Sequence, residues 1–269
     1  MDDSIIRFGV FLLVFSLMAL WEMVAPKRAG SGPRQSRWTT NLSLVVVDGI
    51  AVRIFLPITA IGAAELAAAN GIGLFNMLSW HGIVIAIVAF LVLDFAIWFQ
   101  HLVFHKVPWL WRLHSVHHAD LDVDVTTGIR FHPIEIILSM VWKVLVVLAI
   151  GAPAVVVFAF EVVLNGAAMF NHANVRLPRT VDRILRLLVV TPDMHRVHHS
   201  VEIEETDSNY GFNLSIWDRL FGTYRAAPKA GHGQMVIGLA EYQTDDTARL
   251  GWSLLFPFRG HFKRKRTSL

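Results

Sequence analysis

Long uncharged stretches set the rhythm of this chain. Residues 66–93 carry no Asp, Glu, Lys or Arg, and 144–160 and 162–175 are equally free of them, with Glu161 alone between. Each stretch is on the scale of a bilayer crossing or half of one, since about 20 apolar residues cover the hydrocarbon core. The pattern predicts membrane helices near 5–22, 42–64 and 80–104, then an apolar pair near 134–150 and 154–173, broken at Gly151, Ala152 and Pro153. The pair is short for spanning and reads as two tilted crossings or a re-entrant hairpin. From Arg176 onward polar and charged residues take over, with Asp207-Ser208-Asn209-Tyr210-Gly211 and Phe221-Gly222-Thr223-Tyr224 as turns between short ordered pieces.

Composition agrees with the pattern. Hydrophobic residues make up 54%, charged ones 17%, and the mean hydropathy is +0.50, values of the membrane class. The first apolar segment is preceded by Asp2 and Asp3 instead of a basic flank and lacks a small-residue cleavage site, so it reads as a retained helix, not a signal peptide. There is no cysteine, which excludes disulfides, iron–sulfur clusters and thiolate metal sites and leaves nitrogen and oxygen ligands.

The net charge of +3 is modest and its basic residues are local: Lys27, Arg28, Arg34 and Arg37 read as one loop, and Lys263 to Arg266 form the tail. Such clusters mark the cytoplasmic side; counting them puts 27–37, 106–130 and everything after Arg176 there, with an outside amino terminus and an odd number of crossings. No basic groove interleaved with aromatic residues is present, so nucleic acid is not an expected partner.

The chemistry lies in histidines. Of thirteen, five fall within 101–118, where an even spread would put about one. His101 and His105 are spaced i, i+4; His114, His117, His118 and His195, His198, His199 are both spaced i, i+3, i+4, so on a helix each group projects from one face. Neutral imidazole binds iron, zinc, copper or nickel, and spacing alone does not choose among them. One structural ion needs four ligands, so eight histidines imply two ions. H-E-x-x-H and the Glu-x-x-His pairs of soluble di-iron bundles are absent. Because the third group lies nearly eighty residues beyond the second, a polar cap must fold back over the helix ends to complete the site. The bland alternative is a set of hydrogen-bonded structural histidines.

The fold expected is all-α: a polytopic membrane helical bundle of four to five membrane helices with a cytoplasmic helical cap carrying a histidine-lined dimetal site. It forms one integral membrane domain over 1–269, with cap and tail at 176–269 inside it.

The three histidine groups, with Arg130-Phe131-His132-Pro133-Ile134-Glu135 between them and Asn209-Tyr210-Gly211 and Trp217-Asp218-Arg219-Leu220-Phe221-Gly222-Thr223-Tyr224 after them, resemble the fatty acid hydroxylase and sterol desaturase superfamily over roughly 80–225. The resemblance implies a membrane oxidoreductase with two non-haem iron ions that uses O2 to hydroxylate or desaturate a sterol, fatty acyl or related lipid. It carries metal-ligand and catalytic roles over to His101, His105, His114, His117, His118, His195, His198 and His199. Some members add a histidine pair in the last membrane helix; here His172 holds the later position, as a metal ligand, and Ala168 the earlier. Glu161, Asn165, Ala168 and His172 share one helical stripe, so Asn165 or a water is a candidate for the missing place. No flavin or dinucleotide fingerprint is visible, so an external electron donor, a cytoplasmic electron-transfer protein, is implied alongside the lipid, O2 and the bilayer.

Other residues carry paired readings. His132, before Pro133, reads as a structural or supporting residue at a helix start; His81, His232 and His261 read as interfacial or solvated. Asp94, seven residues before His101, either orients a ligand histidine or pairs with Arg53. Asp193 and Asp120 are candidate supporting acids, and Glu202, Glu204 and Glu205 a solvated run. Tyr210, Trp98, Trp109, Trp111 and Trp142 are candidates for a lipid access path or for ordinary interfacial aromatics. Two other functions fit less well: a zinc-dependent membrane lipid hydrolase with Glu135 or Asp193 as base, and a non-enzymatic metal-binding or transport protein. Oxygen consumption separates them from an oxygenase.

Overall fold

The computed structural model describes residues 3–30 and 34–259. His261 and the basic tail Lys263 to Arg266 lie outside the described residues. Among the described residues the fold is all-helical, with isolated bridges only at Pro26–Val175, Val189–Leu214 and Ser200–Ile237.

Among the described residues five segments are long and apolar enough to cross a membrane: Ile5–Val24, Arg34–Met77, Gly82–Lys106, Pro133–Ile150 and Ala154–His172. α1 (Asp3–Val24) presents Phe8, Leu13, Leu17 and Leu20 outward, each more than half exposed. In water such a face is a large apolar patch; in hydrocarbon it costs nothing.

The second segment departs from expectation at both ends. α2 runs Arg34–Phe55 instead of starting near 42, because its first turns are polar for a reason hydropathy does not see: Arg37, Thr40 and Asn41 are buried against other parts of the chain. The helix then stops, as Pro57 lacks a donor and disfavours helical backbone at Leu56. Thr59 starts α3 (Ala60–Ala69) by accepting a hydrogen bond from Gly62 N at 3.1 Å, and buries the stripe Ala60, Ala63, Ala64, Ala67.

α4 (Gly82–Lys106) is followed after Val107 by α5 (Pro108–His118), with Pro108 at the first helical position, where a missing N–H costs nothing. α6 (Pro133–Ile150) begins with His132 accepting from Ile134 N. α6 ends at Gly151, whose φ of 66° is left-handed, and Pro153 leads into α7 (Ala154–His172). At 18 and 19 residues these helices are each about 27 Å long, close to a hydrocarbon core.

The ends of α1, α4 and α7 meet the starts of α2 and α6 at one end of the bundle, which a polar layer of short helices covers: α8 (Arg179–Leu185), α9 (Pro192–His198), α10 (Ile203–Thr206), α11 (Ile216–Leu220), α12 (Gly231–Gln234) and α13 (Leu250–Leu255). The basic residues read as one loop are divided and engaged here. Lys27 pairs with Asp193 at 2.6 Å, Arg28 donates to the carbonyls of His232 and Met235, and Arg37 lies inside α2, paired with Asp120 and, at 2.9 Å, with Asp124. Lys27 and Arg28 thus fasten the layer to the bundle, and Arg37 fastens α2 to the segment between α5 and α6.

Candidate metal centre

Two turns at the end of α4 present His101 and His105, α5 presents His114, His117 and His118, α7 ends on His172, and α9 brings His195 and His198 with His199 one residue past it. All nine side chains are buried. They fall into two spatial groups, His101, His105, His114, His118 and His198 in one, and His117, His172, His195 and His199 in the other, with the ligand atoms of each group within 4.8 Å of one another.

The spatial groups cut across the sequence groups. On a helix i and i+4 lie about 40° apart and i+3 falls about 60° to the other side. So α5 turns His114 and His118 to the first group and His117 to the second. The α9 motif does the reverse, giving His195 and His199 to the second group and His198 to the first. One spacing, used twice in exchanged orientation, builds two adjoining sites.

Five rings are held by their outer nitrogen. The Nδ1 groups of His101, His117, His172 and His198 donate to the carbonyls of Tyr210 (2.7 Å), Arg130 (3.1 Å), Ala168 (2.7 Å) and Ser208 (2.7 Å), and His114 Nδ1 donates to Glu135 Oε1 at 2.6 Å. His105 Nδ1 lies 3.4 Å from Asp207 Oδ1. A carbonyl only accepts, so the proton of each carbonyl-bound ring sits on Nδ1 and Nε2 is a bare lone pair. Yet His117 Nε2 faces His172 Nε2 at 3.1 Å, and His172 Nε2 is 3.0 Å from His195 Nε2. Two neutral rings so tautomerised cannot hydrogen-bond to each other. Ring protonation is no remedy: burial first, then neighbouring rings, hold His117, His118, His195 and His199 well below the ordinary imidazole range. Both nitrogens of His118 and His199, and Nε2 of His198, are buried without a hydrogen-bond partner. A cation between the lone pairs satisfies all of this, and the donor set fits an imidazole-binding transition metal.

Several residues stand elsewhere than their sequence context suggests. Glu135, considered as a hydrolytic base, is the carboxylate that orients His114. Asp94 does neither thing expected of it and accepts from Trp217 Nε1 at 2.8 Å. Asp193 pairs with Lys27 and Arg196, and Asp120 with Arg37, so neither supports a histidine of the centre by hydrogen bond. Asn165 is exposed and lines the open cavity that His101 and His114 also line. His132 caps α6 and reaches the Leu254 carbonyl at 3.2 Å. Glu205 is buried, accepting from Lys229 N, whereas Glu204 is exposed. His81 caps α4 from an exposed position, and His232 is partly buried, 4.0 Å from Asp193.

The aromatic candidates do not line that cavity. Tyr210 packs its ring on His101, His105 and His198, Trp111 packs on His105 and His118, Trp142 donates to the Ala96 carbonyl, and Trp109 is 60% exposed. Trp98 donates to Asp218, a residue the sequence does not single out. Asp218 also accepts from Tyr210 N, Gly211 N and Thr223 Oγ1, fixing the loop whose Tyr210 carbonyl holds His101. Arg130 was likewise missed: fully buried, it donates to Val116 O, Asn41 Oδ1 and Thr247 O, while its own carbonyl holds His117. Both lie within the motifs flanking the histidines, the one signal that marked them.

A cavity of about 270 Å³ abuts His101 and His114, with Ile97, Phe104, Phe131 and Phe212 among its walls. Gly128 packs against α7 beside it, where a Cβ would lie 2.6 Å from Ala168 O and 3.3 Å from His172 Nδ1.

Comparison with known proteins matches residues 86–223 to the family model described as fatty acid hydroxylase. Among curated proteins, the chain is 32% identical to the ornithine lipid hydroxylase of Rhizobium tropici over 143 residues, covering 53% of this chain and 42% of that one. It is 33% identical to human alkylglycerol monooxygenase over 141 residues, 51% of this chain and 30% of that one. With mouse cholesterol 25-hydroxylase it shares 26% over 144 residues, 53% and 47% of the two chains. The match thus spans less than half the length of these relatives. No solved structure matches significantly.

Proposed function

This chain belongs to the fatty acid hydroxylase family, and from that premise we propose that it is a membrane di-iron oxidoreductase that uses O2 to hydroxylate or desaturate a C–H bond of a lipid. The observation that carries the reading is the convergence of ligand atoms from nine buried histidines, four of them held through Nδ1 by carbonyls so that Nε2 is a bare lone pair, into two adjoining groups beside a largely apolar cavity. His101, His105, His114, His118 and His198 hold one ion; His117, His172, His195 and His199 hold the other. When bound, iron supplies the redox chemistry that O2 activation requires.

The protein's own residues do the rest. Carbonyls and Glu135 lock the rings so that little reorganisation accompanies the reaction. Phe104, Phe131 and Phe212 exclude water and confine a hydrocarbon against His101 and His114. Residues 80–225 form the catalytic core within a single domain over 1–269, and the polar layer faces the cytoplasm, where an electron-transfer protein delivers reducing equivalents. The names of the relatives, hydroxylases and monooxygenases of an ornithine lipid, alkylglycerol and cholesterol, favour oxygen insertion into a lipid. A hydrolase is disfavoured, since Glu135 is bound to His114 and Asp193 to Lys27 and Arg196.

Purified protein is expected to hold about two iron ions per chain and to consume O2 when given a reductant and a lipid extract. Zinc alone, with no oxygen uptake after iron reconstitution, overturns the reading.

A further inference from the structure

The cavity beside His101 and His114 does not stay apolar. It follows one face of α6 from Glu135 past Ser139 to Lys143, eight residues and so about 12 Å. At the far end three helices contribute charge. Lys143 Nζ of α6 lies 2.9 Å from Glu161 Oε1 of α7, and Arg7 Nη1 of α1 lies 3.0 Å from Glu161 Oε2. All three line the cavity. The Glu161 side chain is 4% exposed, that of Lys143 11% and that of Arg7 33%.

Two cations share one carboxylate there. A single Lys–Glu or Arg–Glu pair would be balanced; among the described residues the second cation leaves one positive charge without a counter-charge inside segments of membrane-spanning character, where unpaired charge is costly and marks a site. Among the described residues Glu135 is the only other acid lining the cavity, and it stands at the histidine end, bound to His114. Along the wall Gln100 Nε2 donates to Ser139 Oγ at 2.5 Å, while Gln100 Oε1 is buried without a hydrogen-bond partner. One end of the cavity therefore suits hydrocarbon and the other an anion.

We infer that Arg7 and Lys143 receive the anionic group, carboxylate or phosphate, of a single-chain lipid whose hydrocarbon runs along α6 to the histidines. Guanidinium and ammonium together complete the charge balance that Glu161 leaves unfinished, through charge-assisted hydrogen bonds. This deepens the oxygenase reading in one respect that rests on it: the C–H bond presented to the centre lies about 12 Å from the anionic group, so oxidation falls remote from the head.

The test measures binding, which needs neither metal nor turnover. Radiolabelled palmitate, hexadecyl phosphate and hexadecanol are equilibrated with the full chain in phosphatidylcholine nanodiscs at mildly alkaline pH. At least one of the two anions is expected to bind about tenfold more tightly than the alcohol, the usual worth of a charge-assisted hydrogen bond, and the better anion identifies the head group. Lys143→Met abolishes the preference, Lys143→Arg retains it, and Glu161→Gln, which adds a second uncompensated charge, increases it. A purely structural ion cluster would not give opposite shifts in two variants. Lys143→Met leaves the Arg7–Glu161 pair balanced, and an unfolding midpoint near that of the native protein verifies its fold. Equal binding of anions and alcohol to the native protein, or a preference untouched by Lys143→Met, overturns the proposal. Either result leaves the metal content and oxygen uptake where they were, so the two readings fail separately.

Discussion

At the scale of residues, tautomers decide what the centre can do. His117 and His172 have each spent their Nδ1 proton on a backbone carbonyl, so their facing Nε2 atoms have only lone pairs to offer. Glu135 plays the corresponding part for His114 and does so as a charge-capable acceptor. Glu135→Ala is expected to lower metal affinity about 10- to 100-fold, with Glu135→Gln falling between, as measured by iron retained after dialysis against graded chelator. Gly128 acts through the space it leaves. Gly128→Ala forces a Cβ against the Ala168 carbonyl and the His172 ring and should cost about 1–3 kcal/mol, read as a lower unfolding midpoint together with reduced iron content.

The elements show why some boundaries were legible and others not. α6 and α7 match their predicted spans 134–150 and 154–173 to within a residue, because Pro133, Gly151 and Pro153 fix those ends by backbone geometry alone. α2 escaped by eight residues at its start, since its polar first turns belong to a buried network with 120–130 that no local pattern reveals. That network ties the start of α2 to the segment between α5 and α6: Arg37 joins Asp120 and Asp124, and Asn41 joins Asp120 and Thr126. Arg37→Met leaves buried carboxylates without their cation and is expected to cost about 3–5 kcal/mol. Limited proteolysis should then cut first between 119 and 132, with the membrane helices still intact.

For the whole molecule, metal and sidedness are the measurable properties. A metal held by α4, α5, α7 and α9 together binds only the folded state, so chelation should lower the unfolding midpoint, by about 3 kcal/mol of stability for metal at a hundredfold over its Kd. The chain has no cysteine, and Lys229 is exposed on the polar layer. A Lys229→Cys variant should react with an impermeant maleimide in inside-out vesicles and stay unlabelled in sealed right-side-out ones; the opposite pattern reverses the proposed orientation.

The sequence by itself determined the membrane character, the positions of four of the five helices long and apolar enough to span, and the histidines, because each depends on local quantities: hydropathy over a window, proline and glycine geometry, and spacing along a helix. Tertiary structure alone decided how those histidines divide. His117 leaves its neighbours for the group of His195 and His199, and His198 crosses the other way, because helical phase separates i+3 from i and i+4 only once facing helices are fixed in space. It also gave Asp94 to Trp217, Arg37 to Asp120, and two cations from distant helices to Glu161. Long-range pairing of polar groups has no period along the chain; only packing sets which of many possible partners comes within reach.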